Sequence, residues 1–491
     1  MTGLALTAEQ QAVVTAPDGP LLVLAGPGAG KTAVLTARIA HLITDRGVGP
    51  ASVLALTFSN RAAQELRARL AERLGDKSNV VDVATFHNFG LRVLRQWRTR
   101  LGFPANRLTV YDAQAARAVF TDVVRACGVP AGGLPLRVLW HVVEHYRMTG
   151  SGGAHAATLQ ALTAAYEAEL RRRGAVDFPA MLREPLRLLQ AHPDVARLYR
   201  VAYRAILVDE AQDTCPTQYA LVRLLAAQHR HLTMVGDPAQ CLYAWRGADG
   251  SVLRAFLRDC PDAQVRTLQQ NFRSTPEIVA VANALGTHLP GCLPLHAAAA
   301  TGPPSVLHLA ADDAAEGRFI AAEIVRLLAC GVVHSAGEVA ILVRTNGQAE
   351  PIANALRARS LACAATLANG NAIVPGGALA GEQDPSLTGV PQRLTPGRVR
   401  LLTIHAAKGL EWSVVFVAGF EDGLLPHARS LQDGAAGLDQ ERRVAYVAVT
   451  RPQRRLYLTG CCARCRGGAL VAIPPSRFLH DLDGLPLTRA A

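Results

Sequence analysis

Four aliphatic residues, Leu21–Leu24, lead into Ala25-Gly26-Pro27-Gly28-Ala29-Gly30-Lys31-Thr32, after which a helical pattern begins. No other segment constrains the fold as much. A buried strand that passes through small residues straight into a helix is half of a β–α–β unit, and the strand that follows must run parallel to it. The small residues remove side-chain bulk, so backbone N–H groups at the helix start can converge on an anion. Lys31 then reaches the β- and γ-phosphates of a nucleotide, and the Thr32 hydroxyl ligates Mg²⁺. The strict pattern has glycine where Ala25 stands, and the plain alternative is a Gly-rich turn with an incidental lysine.

The rest of the chain fits that start. Strand candidates at Leu21–Leu24, Val53–Thr57, Val80–Ala84, Ala205–Val208, Leu232–Val235 and Val265–Leu268 alternate with helical patterns. One such helix carries Ala62, Ala63, Leu66, Leu70 and Leu74, with Ser59 as its N-cap. Alternation of this kind predicts a parallel α/β sheet. Residues 98–200 lack strand signals and are expected to be an all-α insertion, which leaves 1–97 and 201–285 as the first lobe. Residues 286–305, rich in Gly, Pro and Ala, make a linker. Further strand candidates at Val306–Leu309, Val339–Val343, Val399–Ile404, Val414–Val417 and Leu456–Thr459 place a second α/β lobe at 306–365 and 399–482. Within it, 366–398 has too few large apolar side chains for a core and is expected to be a loop.

Ile206-Leu207-Val208-Asp209-Glu210-Ala211-Gln212-Asp213 ends a hydrophobic strand in adjacent carboxylates. Asp209 would hold Mg²⁺ through water, and Glu210 would orient and deprotonate an attacking water. A solvated acidic strand end is the alternative, and the phosphate loop upstream argues against it. Of 51 basic side chains only Lys31, Lys77 and Lys408 are lysines. Lys31 and Lys408 stand in phosphate-handling contexts, where a compact ammonium suits better than a flat guanidinium; Lys77 lies in a polar turn. The net charge of +12 and pI near 9.5 favour a polyanionic partner.

Half of the residues are hydrophobic, enough for real cores. The longest apolar runs, such as Pro20–Ala25, are far shorter than the roughly 20 residues that span a bilayer, so no membrane segment is expected. Met1–Gln11 is polar and does not read as a secretory signal. Among ten cysteines, Cys462-Ala463-Arg464-Cys465 is the C-x-x-C pair. It lacks the adjacent second pair that a zinc site needs, and reduced thiols are the plain reading. Unpaired bases are held by aromatic faces and phosphate-binding cations, so Tyr243, Trp245 and Arg246 are nucleic-acid candidates, with core packing as the alternative for both rings. Phe86, Phe89 and Trp97 interleave with Arg92, Arg95, Arg98 and Arg100. A DNA face and an amphipathic helix with a solvated arginine side both fit.

With the Gly-Pro-Gly-Ala-Gly-Lys-Thr loop, Asp-Glu-Ala-Gln-Asp resembles the superfamily 1 helicases of the UvrD/Rep/PcrA type. More motifs follow in that family's order: Leu6–Gln10, Leu54–Ala63, Thr85–Phe89, Val235–Asp249, Asn271–Ser274, Thr403–Glu411 and Glu441–Arg451. The resemblance runs from about Leu6 to Leu479. It implies two RecA-like P-loop lobes with parallel sheets and a 1B-like helical insertion in the first. It further implies that the phosphate loop Ala25, Gly26, Pro27, Gly28, Ala29, Gly30, Lys31 and Thr32 binds ATP, with Mg²⁺ on Thr32 and Asp209. Gln10 would contact adenine, Phe272 would stack on the base, and Glu411 would touch the ribose. Gln240 would sense the γ-phosphate, with Arg273 and Arg451 approaching it from the two lobes. Phe58, His87, Asn346 and His405 would line a DNA track with Tyr243, Trp245 and Arg246.

The implied activity is an ATP-dependent, 3′→5′ DNA helicase and single-stranded DNA translocase acting on single-stranded and 3′-tailed duplex DNA in repair or replication. Its implied setting is the bacterial cytoplasm, on the nucleoid when bound to DNA. Relatives insert a 2B subdomain before the Lys408 motif, where this chain has only 366–398. A DNA-stimulated ATPase or accessory translocase that does not unwind duplex by itself therefore stands as the alternative. A catalytically dead scaffold is disfavoured by intact Lys31, Glu210 and Arg451, and a P-loop kinase by the two-lobe motif set. Ala33 replaces an arginine and Phe272 a tyrosine of the family, which predicts weaker nucleotide affinity and looser base discrimination.

Overall fold

The computed structural model describes residues 6–127, 135–150, 152–242, 250–366, 397–466 and 469–490. These fall into two compact units. One comprises the described residues of Met1–Leu24, Lys31–Gly236 and Tyr243–Thr267; the other those of Ala25–Gly30, Asp237–Leu242 and Leu268–Ala491. Residues 25–30, 237–242 and 268–285, read from sequence with the first lobe, thus group with the second unit.

In the first unit, α1 (Ala8–Val14), β1 (Leu21–Ala25), α2 (Lys31–Thr44), β2 (Val53–Thr57), α3 (Asn60–Leu74), β3 (Asp82–Thr85) and α4 (Phe86–Trp97) open the chain. Ser59 caps α3 by accepting from the Ala62 N–H, and Ala63, Leu66 and Leu70 form its buried stripe. The third strand begins two residues later than its apolar run suggests, because a 3-10 turn over Gly75–Val80 takes up Val80. With β6 (Ala205–Val208), β7 (Leu232–Gly236) and β8 (Gln264–Leu268), introduced after the helical insertion in the chain, the sheet has the order β3-β2-β6-β7-β1-β8. The pairs β1–β7, β2–β3, β2–β6 and β6–β7 are parallel. Strands buried on both faces read as continuous aliphatic runs, as 53–57 and 205–208 do.

Residues 98–200 hold β4 (Thr109–Val110), α5 (Ala113–Cys127), α6 (Leu136–Thr149), α7 (Ala156–Arg172), β5 (Ala175–Val176), α8 (Ala180–Ala191) and most of α9 (Pro193–Ala202). The expected all-α character is corrected by one feature, the parallel pairing of β4 with β5. Two-residue strands have no periodicity to read. Phe120, Trp140 and Tyr166 meet edge-on in the core of this segment, with ring centroids 5.1–5.8 Å apart. Behind them the fully buried Arg147 pairs with Glu167 and Asp177. Helix α4 packs so closely on α8 that a Cβ on Gly90 would lie 1.9 Å from the Met181 carbonyl oxygen. Helices α10 (Pro216–Ala226) and α11 (Ser251–Asp259) complete the unit.

The second unit adds β9 (Gln270–Asn271), α12 (Pro276–Gly286), β10 (His296–Ala297), β11 (Val306–Asp312), α13 (Asp313–Ala329), β12 (Val339–Val343), α14 (Ala349–Ala358), β13 (Cys363–Thr366), β14 (Val399–Thr403), β15 (Trp412–Ala418), α15 (Gly434–Val449), β16 (Pro452–Arg466), β17 (Ala469–Ala472) and β18 (Thr488–Arg489). Its main sheet runs β13-β14-β12-β15-β16-β11-β18, parallel throughout, with β17 antiparallel on β16. The stretch expected as a linker contributes β10, which pairs with β9. Of the loop expected at 366–398, residues 367–396 lie outside the described residues.

Candidate functional site

In a parallel sheet the carboxyl ends of all strands share one edge, and ligands bind there. In the first unit that edge carries Asp209 at the end of β6. Its backbone N–H donates to the Leu56 carbonyl at 2.9 Å, and its side chain is 5% exposed. Burial pushes the Asp209 carboxyl up to about 7. Neighbouring Glu210 pushes the same way, and Lys31, the first residue of α2, pulls it back. Glu210 is one of the few non-glycine residues with positive φ, at φ 50° and ψ 44°. That conformation costs about 1–3 kcal/mol and recurs where a side chain is aimed for chemistry.

Hydrogen bonds of its backbone and side chain hold Glu210 there. Its N–H donates to Asp209 Oδ1 at 3.0 Å, and Gln212 Nε2 donates to its Oε2 at 2.5 Å. Gln212 is completely buried beneath Gly236, where a Cβ would sit 2.6 Å from Gln212 Oε1. Gln212 belongs to the acidic motif, but its orienting role depends on the backbone bend at Glu210, which the motif's spacing does not announce. Gln10 lies on α1 and is buried. Its Oε1 accepts from the Thr7 N–H at 3.1 Å, while Thr7 Oγ1 accepts from the Gln10 N–H at 3.2 Å. This capping box fixes the orientation of the amide.

In the second unit the Gly-rich loop leans on the turn after β9. Asn271 Nδ2 donates to the Pro27 carbonyl at 2.8 Å, and the Phe272 N–H donates to the Gly28 carbonyl at 3.0 Å. Gly28, at φ 71°, leaves no room for a Cβ, which would approach Asn271 Nδ2 to 2.7 Å and Arg273 Cβ to 2.9 Å. Asn271 Oδ1 also accepts from the Arg273 and Ser274 N–H groups at 2.9 and 2.8 Å. One buried amide thus sets both the loop and the turn carrying Phe272 and Arg273. Phe272 is 45% exposed.

Arg273 and Glu411, implied to touch γ-phosphate and ribose, here touch each other. Arg273 Nε donates to Glu411 Oε2 at 2.5 Å, and Nη1 donates to the Thr450 carbonyl at 2.9 Å. Burial would raise the Glu411 carboxyl, but Arg273 and the Gln453 amide outweigh it and hold it below its usual value. Gln240 and Arg451 also meet. Arg451, 2% exposed, donates through Nη2 to Gln240 Oε1 at 3.1 Å, through Nε to the Val447 carbonyl at 2.9 Å and through Nη1 to the Leu410 carbonyl at 3.3 Å. Gln240 Nε2 donates in turn to Asp237 Oδ2 at 2.6 Å. Lys408, placed by sequence in a phosphate context, donates to the Gln240 backbone carbonyl at 2.5 Å.

The candidate DNA contacts occupy matching places in the two sheets. Thr57 of β2 is in register with Thr85 of β3, so Phe58 and His87 leave adjacent strands at one edge. Val343 of β12 is in register with Thr403 of β14, and Asn346 and His405 follow in the same way. His87 stacks on Phe178 with ring centroids 3.5 Å apart. Burial, then Arg344, push the His405 imidazole down to about 4, so it is neutral at physiological pH. Arg344 is held by Glu441, a 1%-exposed carboxylate that accepts from both its Nε and Nη2, from the His427 N–H and from Ser430 Oγ at 2.7–3.0 Å. Tyr243, Trp245 and Arg246 lie outside the described residues.

Phe86 and Phe89 are core residues, Arg92 pairs with Asp82 at 2.7 Å and Arg100 with Asp194 at 2.6 Å. The amphipathic reading of this helix therefore describes it. Between the exposed Cys462 and Cys465, Arg464 is buried and bonded to Glu316 and Glu421. A cavity of about 480 Å³ lined by Tyr219, Arg223, Arg230, Asp259 and Cys260 contains none of the candidate site residues.

Two family models match the chain. That of the UvrD/REP helicase N-terminal domain covers residues 6–261, and that of the UvrD-like helicase C-terminal domain covers 266–367 and 386–462. The ATP-dependent DNA helicase UvrD1 of Mycobacterium tuberculosis is 28% identical over 655 aligned positions, covering 97% of this chain and 85% of the relative. The ATP-dependent DNA helicase PcrA of Staphylococcus epidermidis is 26% identical over 630, covering 97% and 86%. The PcrA of Leuconostoc citreum is 28% identical over 635, covering 97% and 84%. All three alignments are longer than the chain itself, so each relative carries segments that have no counterpart here.

Proposed function

Since this chain belongs to the UvrD/REP helicase family, we propose that it is an ATP-dependent DNA helicase that translocates 3′→5′ along single-stranded DNA and opens 3′-tailed duplex. The observation that carries this reading beyond family membership is the Asp237–Gln240–Arg451 chain of hydrogen bonds, which ties the segment after β7 to the residues just beyond α15. A γ-phosphate sensor and an arginine joined in this way respond to nucleotide together, as a motor requires. In the same reading, residues 98–200 are the 1B-like insertion and 366–398 stands where relatives carry 2B.

Each residue then has a role. The loop 25–30 and Lys31 bind the phosphates, and Gln10 reads adenine while Phe272 covers it. Glu210, aimed by its backbone and by Gln212, takes a proton from the attacking water. Arg273 leaves Glu411 for the phosphate, and Glu411 turns to the ribose. Arg451 stabilises charge on the transferring phosphoryl. The donor set also fits a hard divalent cation: the Asp209 carboxyl, raised by burial and by Glu210 beside it, would be favoured in its ionised form by a bound cation. Thr32 and Asp209 would hold Mg²⁺, which when bound neutralises charge on the β- and γ-oxygens. Phe58, His87, Asn346 and His405, with Tyr243, Trp245 and Arg246, form the DNA track.

Among the described residues no helix is long and apolar enough to cross a membrane, and the proposed setting is the bacterial cytoplasm, in repair or replication.

The decisive experiment measures ATP hydrolysis with and without single-stranded DNA, alongside unwinding of matched 3′- and 5′-tailed duplexes, with E210Q as control. DNA-stimulated hydrolysis with opening of the 3′-tailed duplex is expected, both lost in E210Q. Opening of the 5′-tailed duplex alone would reverse the polarity, and hydrolysis indifferent to DNA would end the reading. The second reading, a DNA-stimulated ATPase that does not unwind alone, is favoured by the gap at 368–385 in the C-terminal match. Stimulated hydrolysis without strand separation would select it.

A further inference from the structure

We infer that Arg38 is a positioning residue that sets where Gln10 meets the nucleotide base, and so governs the preference for ATP over other purine nucleotides. The inference rests on the reading of Gln10 as the base contact. Helix α1 has seven residues, too few to be stable alone. Its amino end is closed by the capping box that uses Gln10 itself. At its carboxyl end the Thr15 N–H returns to the Gln11 carbonyl at 2.9 Å and the Ala16 N–H to that of Val13 at 3.4 Å, and the last carbonyls keep lone pairs for further donors.

Arg38 provides them. Its guanidinium, wholly buried, donates through Nη1 to the carbonyls of Val13, Val14 and Ala16 at 3.1, 3.1 and 2.9 Å, and through Nη2 to that of Pro17 at 3.5 Å. Its Nε donates to Thr233 Oγ1 in β7 at 3.3 Å, and Nη2 lies 3.4 Å from His231 Nε2. Burial, then the nearby Arg38 charge, push His231 down to about 4, so its ring is neutral and can accept. Burial also lowers Arg38 itself to about 10, which leaves it a cation at neutral pH. No other side chain type could fork over four carbonyls while reaching a strand hydroxyl; a lysine has one nitrogen to spend.

The clamp therefore fixes α1 to the sheet from α2, the helix that Lys31 opens. Releasing it lets α1 drift by a fraction of a turn, enough to take the Gln10 amide out of hydrogen-bond reach of a base. Lys31 opens α2, and Asp209 and Glu210 stand at the end of β6, none of them on α1. Loss of the clamp should thus appear in KM and in base choice, not in kcat.

The test is steady-state hydrolysis of ATP and GTP at saturating single-stranded DNA by the wild type, R38K, R38M, Q10A and R38M/Q10A, with melting temperatures measured in parallel. R38M is expected to raise the KM for ATP about tenfold and to leave kcat within about twofold. It should erode the ATP-over-GTP ratio as far as Q10A does, and the double variant should be no worse than either. R38K should fall between wild type and R38M, and it carries the test if R38M does not fold. A fall in kcat with the ATP-over-GTP ratio intact, or effects of R38M and Q10A that multiply, would overturn the inference and leave Arg38 a purely structural residue. If Q10A itself leaves the ratio intact, the base-reading role of Gln10 fails too, which separates the two failures.

Discussion

At the end of β6, Asp209 and Glu210 stand side by side with like charges, one carboxyl pushed up and the other held in a left-handed backbone, whereas in the other unit Arg451 is bonded to oxygen through all three of its guanidinium nitrogens. The contrast follows the work proposed for each. A carboxyl raised by burial and by a like-charged neighbour gains the most from a bound cation or proton, which suits groups that must accept one. A cation that supplies constant potential is built in beforehand, so that no reorganisation accompanies the reaction.

The largest effect should come from removing the preset cation. Arg451→Ala is expected to lower kcat by about 10³–10⁵ while DNA binding without nucleotide persists. A loss below tenfold, read by DNA-stimulated hydrolysis, would show that the buried arginine is structural and break the contrast. Next is a satisfied pair that should matter to stability instead. Glu441→Ala strands Arg344 and should cost about 3–5 kcal/mol in urea unfolding. A cost near zero would mean that the second unit does not depend on its buried pairs.

The strained side yields a signature in pH. The Asp209 pKa is raised above its unfolded value, so the folded state holds the proton more tightly. Its ionisation penalty is absent below about pH 4 and grows until pH passes about 7. Without metal, Asp209→Asn should therefore be more stable than the wild type at pH 8 and equal to it at pH 4. Equal stability at both pH values would remove the repulsion from the account. The smallest effect is expected at Arg92, whose exposed pair with Asp82 is worth under about 1 kcal/mol. Arg92→Ala should leave the DNA concentration for half-maximal ATPase stimulation unchanged, and a weakening would restore the DNA-face reading of its helix.

What could be read from sequence is what local chemistry decides. Aliphatic runs at 53–57, 205–208 and 339–343 are strands because burial on both faces demands them, and Ser59 caps α3 because its hydroxyl reaches Ala62. The roles of Asn271, Gln212, Arg38 and Glu441 were not legible, since each depends on a partner distant in the chain or on a backbone bend. Asn271 reaches Pro27 and Glu441 reaches Arg344, and no spacing rule announces either. Nor could spacing tell that Arg273 and Glu411 pair with each other.

The hydrogen bonds from Asn271 and Phe272 to the carbonyls of Pro27 and Gly28 bear on how such a protein can be re-engineered. A chimera that imports residues 25–32 from a relative brings a cradle cut to fit someone else's turn. Any side chain at position 28 would strike Asn271, and an asparagine lost at 271 would let the cradle sag. The two segments, more than 240 residues apart in the chain, form a single replaceable part and have to be transplanted together.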